Sequence, residues 1–309
     1  MKALVTGSEG FVGGYLCAEL ENSGYEIVRC SLDGGDGRVS LNVLDESRVN
    51  EIIASVRPGY IFHLAGQANV ALSWKYPRMT MELNTVGMIN ILEAVRRLSP
   101  GTRVIGIGSS DEYGRLGESG RNVTEDIPLA PLTPYAVSKV AQENTAFAYH
   151  KAYGTDVCMT RCFNMSGAGQ PRGFLIPDIA SGIAAVENGR QDTLRVGNLE
   201  PSRDITHIKD AVRALRLVGE KGVSGEVYNI GSGTVYPVRE VVEKLCAMAE
   251  CPIAIEPDRE KFRPSDTPII RCGNGKLRAH TGWAPELTLD DILADTLEYF
   301  RNKEKPDRQ

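Results

Sequence analysis

A tyrosine and a lysine four positions apart are the residues of this chain with the clearest potential for chemistry. Tyr135 and Lys139 fall in the run Pro-Tyr-Ala-Val-Ser-Lys, at the start of a helical pattern. On a helix, this spacing places both side chains on one face, about one turn apart. An ammonium ~5 Å from the phenol, at an effective dielectric constant of ~20, would stabilise the phenolate by roughly 3 kcal/mol and lower the phenol pKa by about two units. The pair therefore predicts proton transfer by the tyrosine, although a plain helix surface carries the same spacing.

A glycine-rich turn near the N-terminus is the second candidate site. The run Thr-Gly-Ser-Glu-Gly-Phe-Val-Gly at residues 6–13 follows a strand pattern and opens a helical one. Glycines let the backbone turn tightly and approach a pyrophosphate, whose charge the helix N-terminus stabilises. In this context the turn predicts dinucleotide binding. The residues expected to contact the cofactor are Gly7, Gly10, Phe11, Val12 and Gly13.

The end of the second predicted strand bears on the choice between NAD and NADP. NAD binders usually place an acid there to hold the ribose hydroxyls, whereas this chain has Ser31, with Asp33 two residues later. Ser31 leaves room for a 2′-phosphate, which Arg29 or Arg38 would help to neutralise. We therefore favour NADP(H), with NAD(H) as the alternative. Asn42 is a candidate for the adenine edge, and a turn asparagine is the equal alternative.

The composition is that of an ordinary globular protein. Of 309 residues, 42% are hydrophobic and 24% charged, and the net charge of -5 argues against binding to nucleic acid or to an anionic membrane. Seven cysteines without a Cys-x-x-Cys motif suggest reduced thiols in a cytoplasmic protein, and four dispersed histidines predict no metal site. No apolar run reaches the ~18 residues of a membrane span. A strand pattern begins at residue 2, so we expect no signal peptide.

Strand and helix patterns alternate through the first half of the chain. Strands are predicted at 2–6, 25–31, 60–64, 103–107 and 156–161, with helices at 10–22, 46–56, 79–98 and 135–152 and an irregular stretch at 109–132. This alternation predicts an α/β fold, a Rossmann-type doubly wound parallel sheet that binds ligands at the carboxyl ends of its strands. Beyond residue 165 the rhythm loosens. We expect a nucleotide-binding domain at 1–165 and a smaller mixed α/β substrate lobe at 166–309, with some segments returning to the sheet.

Several motifs occur in an order that resembles the extended short-chain dehydrogenase/reductases that act on nucleotide sugars. The motifs are the glycine turn, His63-Leu64-Ala65-Gly66, Asn84, Ser109-Ser110-Asp111-Glu112-Tyr113-Gly114 and Tyr135-x-x-x-Lys139. The resemblance covers essentially the whole chain and implies a catalytic triad of Ser109, Tyr135 and Lys139. The serine would bind the sugar carbonyl oxygen and the tyrosine would transfer the proton. The lysine would hold the nicotinamide ribose and lower the tyrosine pKa. The resemblance further implies cofactor contacts from Leu64, Ala65, Gly66, Tyr135 and Lys139.

The C-terminal half resembles the GDP-mannose branch of this family. The run Arg-Cys-Phe-Asn-Met-Ser-Gly resembles a substrate loop in which Asn164 would contact the diphosphate sugar. The resemblance assigns Arg203 and Arg263 to the nucleotide diphosphate, consistent with the bidentate pairing of guanidinium groups with phosphate oxygens. Two surface salt bridges are the plainer interpretation of these arginines. Asn198 is a weaker substrate candidate.

Asp111 bears on which reaction the triad serves. In the dehydratases that this chain resembles, a glutamate stands two residues after the catalytic serine or threonine and takes part in the elimination. Asp111 is one methylene shorter, which reduces its reach by roughly 1–1.5 Å, and a misplacement of this size costs about a hundredfold in rate. Glu112 is next in sequence, but on an extended stretch it would point elsewhere.

These residues together predict an NADPH-dependent reductase. The expected reaction is reduction of the C4 ketone of a GDP-4-keto-6-deoxy-hexose, with the GDP-sugar as partner. A GDP-mannose 4,6-dehydratase, a nucleotide-sugar epimerase and a non-catalytic NADP-sensing module are the alternatives. The resemblance implies a homodimer formed through the helices at 79–98 and 134–152.

Overall fold

The computed structural model describes residues 1–119, 122–259 and 269–304, and its elements alternate between strands and helices. The strands, numbered along the chain, are β1 (Lys2–Thr6), β2 (Glu26–Ser31), β3 (Val39–Ser40), β4 (Tyr60–His63), β5 (Arg103–Ser109), β6 (Asn122–Val123), β7 (Val157–Cys162), β8 (Asn164–Ser166), β9 (Thr193–Val196), β10 (Ser202–His207), β11 (Val227–Ile230), β12 (Val235–Pro237), β13 (Ala254–Pro257) and β14 (Ile269–Cys272). The helices are α1 (Phe11–Asn22), α2 (Glu46–Val56), α3 (Val70–Lys75), α4 (Pro77–Met81), α5 (Gly87–Leu98), α6 (Pro134–Tyr153), α7 (Leu175–Glu187), α8 (Ile208–Lys221), α9 (Val238–Ala247), α10 (Gly275–Thr281) and α11 (Leu289–Glu304).

Seven strands form one parallel sheet in the order β11-β7-β5-β4-β1-β2-β3. The chain builds outward from β1 through β2 to β3 and then returns to place β4 on the other side of β1. The strand order therefore reverses between β1 and β4, and sheets of this kind bind ligands at that crevice. The predicted Rossmann-type parallel sheet is confirmed.

Helices cover both faces of this sheet, as a doubly wound fold requires. On one face α1 and α8 bury apolar side chains such as Leu16 and Leu215. On the other face α2, α5 and α6 contribute side chains such as Ile53, Ile91 and Ala146. Because both faces are covered, strands such as β7 are buried along their whole length.

The remaining described strands form the C-terminal lobe. A mixed sheet has the order β12-β10-β14-β6, with β8 paired to β10, and β9 pairs with β13. A third apolar core lies among α7, α9 and α11. Strand β11 comes from beyond residue 165 but belongs to the main sheet. None of the described helices is long and apolar enough to cross a membrane.

The structure departs from the sequence prediction at two places that matter for the site. The helix predicted at 79–98 is α4, a π-helical turn at Glu82–Val86 and α5 in succession. The stretch after β5, predicted to be irregular, begins with two short 3₁₀ helices within Ser110–Ser119, which meet at the non-helical Gly114 (φ 56°, ψ -133°).

Candidate active site

The glycine turn lies at the crevice where the strand order reverses. Gly7 has φ +67°, and a Cβ there would lie 2.9 Å from the amide nitrogen of Ala65. A Cβ on Gly13 would lie 2.2 Å from the carbonyl oxygen of Gly7. Gly10 is the N-cap of the twelve-residue α1, so the free N–H groups of its first turn point out of the turn. This cradle, which side chains would fill, fits a pyrophosphate.

Thr6 ties the end of β4 to this turn. Its hydroxyl oxygen accepts hydrogen bonds from the amides of Leu64 and Ala65, each at 3.1 Å, and lies 3.0 Å from Nδ1 of His63. Because the oxygen accepts from both amides, the hydroxyl proton points to His63, whose Nδ1 is the acceptor. Burial and the charge of Lys139 lower the pKa of His63 to about 3, so its ring is neutral. The predicted cofactor segment from Leu64 to Gly66 therefore lies beside the glycine turn.

The residues predicted to select NADP lie at the end of β2. Ser31 is buried, and its hydroxyl oxygen accepts the amide of Gly34 at 3.1 Å. The two arginines considered for a 2′-phosphate are engaged locally, Arg29 with Glu21 and Arg38 with Asp36. The assignment of Ser31 to the cofactor ribose stays a prediction.

Asn42 follows β3 and serves a turn. Its Oδ1 accepts the amide of Leu44 at 3.0 Å, and the residue is exposed. This contact is the turn role that was the alternative to adenine recognition.

Ser109, Tyr135 and Lys139 come together where β5 meets α6. Ser109 ends β5, while Tyr135 and Lys139 lie in the first two turns of α6, which Thr133 caps through the amide of Ala136. The side chain of Ser109 hydrogen-bonds the Tyr135 hydroxyl. Lys139 Nζ donates to the carbonyl oxygen of Ile107 at 2.7 Å. The three side chains predicted to be catalytic therefore gather around the end of β5.

The electrostatics of Tyr135 differ from the sequence prediction. Burial raises the pKa of the Tyr135 phenol above its ordinary value, the charge of Asp111 adds to the increase, and the hydrogen bond from Ser109 opposes it. The prediction that Lys139 lowers the pKa of Tyr135 was wrong, because the pKa of this phenol is raised. The reason is geometric, because the ammonium is directed to Ile107 and to Oε1 of Gln142, at 3.0 Å. Burial lowers the pKa of Lys139 itself to about 8.

Asp111 and Glu112 lie in the first of the two 3₁₀ helices that follow β5. The amide of Asp111 donates to Oγ of Ser109 at 3.2 Å, and its carboxylate is close enough to influence Tyr135. Glu112 is completely buried and accepts the amide of Ser109 at 2.7 Å. The prediction placed Glu112 on an extended stretch, whereas it lies in a helical turn that brings its carboxylate back to the Ser109 amide.

Asn84 ties the segment after β4 to α6. It lies in the π-helical turn, where its Nδ2 donates to the carbonyl of Gln67 and to Oγ of Ser138, and its Oδ1 accepts the amide of Gln67. A Cβ on Gly66 would lie 2.6 Å from this Oδ1. The sequence analysis did not identify Gln67 and Gln142. The helical spacing could have indicated Gln142, because this residue lies one turn beyond Lys139 on the same helix.

The predicted substrate residues are only partly brought together. Asn164 on β8 is exposed, and its Nδ2 donates to the carbonyl of Asp204 at 3.1 Å, which places it beside Arg203 on β10. Asn198 instead lines a surface cavity of about 320 Å³ with Arg239. Arg263 lies outside the described residues.

A glycine turn of the dinucleotide-binding type lies on a parallel sheet, and a serine, a tyrosine and a lysine converge near it. This is the arrangement of an extended short-chain dehydrogenase/reductase. A family model described as GDP-mannose 4,6 dehydratase matches residues 4–296, and the chain belongs to this family.

Two characterised relatives match over nearly the whole chain. The chain is 29% identical to GDP-6-deoxy-D-mannose reductase of Pseudomonas aeruginosa, over 98% of each chain. It is 26% identical to GDP-mannose 4,6-dehydratase of Vibrio cholerae, over 95% of this chain and 92% of the relative. The structure of RMD from Pseudomonas aeruginosa complexed with NADPH superposes with a TM-score of 0.90 at 29% identity, covering 98% of this chain and 99% of that one.

Proposed function

We propose that this protein reduces the C4 ketone of a GDP-4-keto-6-deoxy-hexose with NADPH. The observation that carries the proposal is the hydrogen-bonded pair Ser109–Tyr135 near Lys139, with Asp111 where the dehydratases that this chain resembles have a longer glutamate. The protonated phenol is the proton donor that reduction needs at this position. The similarity to GDP-6-deoxy-D-mannose reductase supports the same direction.

In the proposed mechanism the reduced nicotinamide supplies the hydride. Ser109 donates a hydrogen bond to the carbonyl oxygen and fixes its position. Tyr135 protonates that oxygen as negative charge develops on it. The proton moves in this direction because the alkoxide is a stronger base than the Tyr135 phenolate. Lys139 holds the nicotinamide ribose and contributes positive charge beside the reacting groups.

The glycine cradle and the C-terminal lobe would divide the ligands between them. Residues 1–165 would hold NADPH, with its pyrophosphate on the first turn of α1 and its ribose near Ser31. Residues 166–309, apart from segments such as β11 that return to the sheet, would hold the GDP-sugar. Asn164 and Arg203 lie on adjoining strands of that lobe and are the described residues that we assign to the diphosphate.

A 4,6-dehydratase is the second candidate, because Asp111 provides a carboxylate close to Tyr135. Purified protein would receive NADPH with GDP-4-keto-6-deoxymannose and, separately, GDP-mannose with catalytic NADP⁺. NADPH oxidation in the first mixture alone supports the reductase. Loss of water from GDP-mannose without net cofactor use would make the protein a dehydratase, and isomerisation without net redox change an epimerase. Cofactor binding with no turnover would leave an NADP-sensing module.

A further inference from the structure

A buried carboxyl group lies directly behind the catalytic serine. Glu112 Oε1 accepts the amide of Ser109, while Oε2 has no hydrogen-bond partner in the part of the chain that the structure describes. The nearest cationic atom to Oε2 is Nε of Arg161, at 4.0 Å. A buried carboxylate with one open oxygen is costly unless a positive charge compensates it.

Arg161 is already committed to another carboxylate. Its Nε and one terminal nitrogen donate to the two oxygens of Glu143 at 2.9 and 2.6 Å, and its other terminal nitrogen donates to the Tyr113 hydroxyl at 2.9 Å. The guanidinium therefore neutralises Glu143 first. The second carboxyl of this cluster, Glu112, needs a different positive charge.

Lys139 is a cation with the complementary need. Its ammonium is buried and contacts a backbone carbonyl and the neutral amide of Gln142, with no carboxylate within salt-bridge distance among the described residues. Lys139 binds β5 at Ile107, and Glu112 binds it at Ser109. Two groups of opposite charge thus flank the same strand end, two residues apart along the backbone.

We propose that Glu112 is the buried counter-charge of Lys139, a positioning residue that keeps this lysine protonated as the pH rises. The inference rests on the proposed function only for the catalytic use of Lys139. The two formal negative charges of Glu112 and Glu143 would balance the two positive charges of Arg161 and Lys139. Glu112 is completely buried, and it would act through the lysine and through the backbone of Ser109.

The titration behaviour of the cluster agrees with this geometry. Burial raises the pKa of Glu112, the charge of Glu143 adds to this, and Arg161 and Lys139 oppose it. Burial lowers the pKa of Lys139 while Glu112 raises it. As the pH rises, ionisation of Glu112 therefore delays deprotonation of Lys139. The other titratable groups that sense Glu112 are Tyr135 and Cys162, whose pKa values are both raised by burial.

The test reads the lysine directly and uses the intact protein without substrate. The Lys139 Cε resonance would be followed against pH by NMR in ¹³C-lysine-labelled protein, with Lys139→Met to assign it. In Glu112→Gln we expect the apparent Lys139 pKa to fall by about one unit. The matched control is Glu125→Gln, since this side chain accepts the Asn229 amide at the edge of the same cluster. An unmoved pKa in Glu112→Gln, or an equal shift in the control, overturns the proposal.

A measurement without substitution covers the case in which Glu112→Gln does not fold. In protein labelled at the glutamate carboxyl carbons and at lysine, we expect the carboxyl that titrates furthest above an ordinary glutamate to lose its proton at a lower pH than Lys139 does. Loss of that proton only after Lys139 has become neutral would reject the counter-charge, because the two groups would then never be charged together. Neither measurement requires turnover, so a protein inactive on GDP-4-keto-6-deoxymannose would reject the proposed function alone. In an active enzyme, the alkaline limit of kcat/KM should also move to lower pH in Glu112→Gln.

Discussion

At the scale of single residues, the proposed role of Tyr135 as proton donor depends on the protonation state of one buried phenol. Tyr135 lies in the first turn of a helix, where an exposed tyrosine would have an ordinary pKa. Its burial and the nearby Asp111 make the phenolate costly, so the phenol carries its proton at neutral pH. Because the same effects make that proton harder to release, the proposed transfer depends on the basicity of the developing alkoxide.

Replacing Tyr135 with phenylalanine removes the donor and keeps the ring. We expect turnover to fall by at least ~10²-fold, the usual loss for a general acid, with NADPH affinity within about twofold. Steady-state NADPH oxidation and fluorescence titration of NADPH measure the two quantities. Tyr153→Phe on the same helix is the matched control, because Tyr153 is 59% exposed. Near-normal turnover in Tyr135→Phe would reject the assignment.

Ser31 offers a test of cofactor choice that does not require turnover. An aspartate there would place a carboxylate beside the proposed 2′-phosphate site, and like charges at close range repel. We expect Ser31→Asp to weaken NADPH binding by roughly tenfold or more, with little effect on NADH. Ser31→Ala, which adds no charge, should change NADPH affinity far less. Equal losses for both cofactors in Ser31→Asp would argue against this position.

At the scale of elements, Asp204 joins three segments of the C-terminal lobe. From β10, its two carboxylate oxygens accept four hydrogen bonds at 2.9 Å, from the amide and hydroxyl of Ser232 and the amides of Gly233 and Cys272. The backbone carbonyl oxygen of Asp204 accepts a hydrogen bond from Nδ2 of Asn164. The residue before it is Arg203, so this carboxylate fixes the strand that presents the proposed diphosphate ligands.

Asp204→Asn should destabilise the protein. An amide has one oxygen to accept these donors, and its NH₂ group would face an N–H group. We expect a loss of about 2–4 kcal/mol in the free energy of unfolding, measured by urea denaturation. The exposed Asp36→Asn should change it by less than about 0.5 kcal/mol. Equal stability of the two variants would show that the four contacts contribute little.

How far the sequence predicts these elements depends on the range of the contacts that form them. The strand, glycine turn and helix at residues 2–22 carry their signals locally, and the predicted bounds agree with β1 and α1 to within a residue. Strands β8, β10 and β14 were not predicted, because short strands are fixed by partners far away in sequence. The burial of Glu112 had no local signal either, since it depends on Arg161 and on the turn after β5.

At the scale of the whole molecule, most of the exposed large apolar side chains among the described residues come from one group of neighbouring helices and the segments beside them. These side chains come from residues 72–98 and from α6 with its approach: Leu72, Trp74, Tyr76, Met79, Val86, Leu98, Leu132, Val137 and Tyr153. Exposed apolar groups concentrated on neighbouring elements mark association surfaces. They include the helices through which we predict a homodimer.

Light scattering coupled to gel filtration tests the dimer. We expect a mass near twice the 33.7 kDa of one chain. Val137→Glu, which places a charge on α6, should reduce it to that of one chain. Ile255→Glu is the control, because Ile255 is 43% exposed on β13, away from these helices. A single-chain mass for the unsubstituted protein would reject the dimer.

The π-helical turn at Glu82–Val86 has a consequence for the length of the chain. Each residue of an α-helix advances the side chains by about 100°. Deleting one residue from this turn would restore a regular helix but rotate all of α5 by that angle relative to α4. Buried Ile91 and Leu92 would then turn away from the sheet, or Asn84 would leave Gln67 and Ser138. The spacing between α4 and α5 is thus a fixed dimension of the protein, intolerant of even a single-residue deletion.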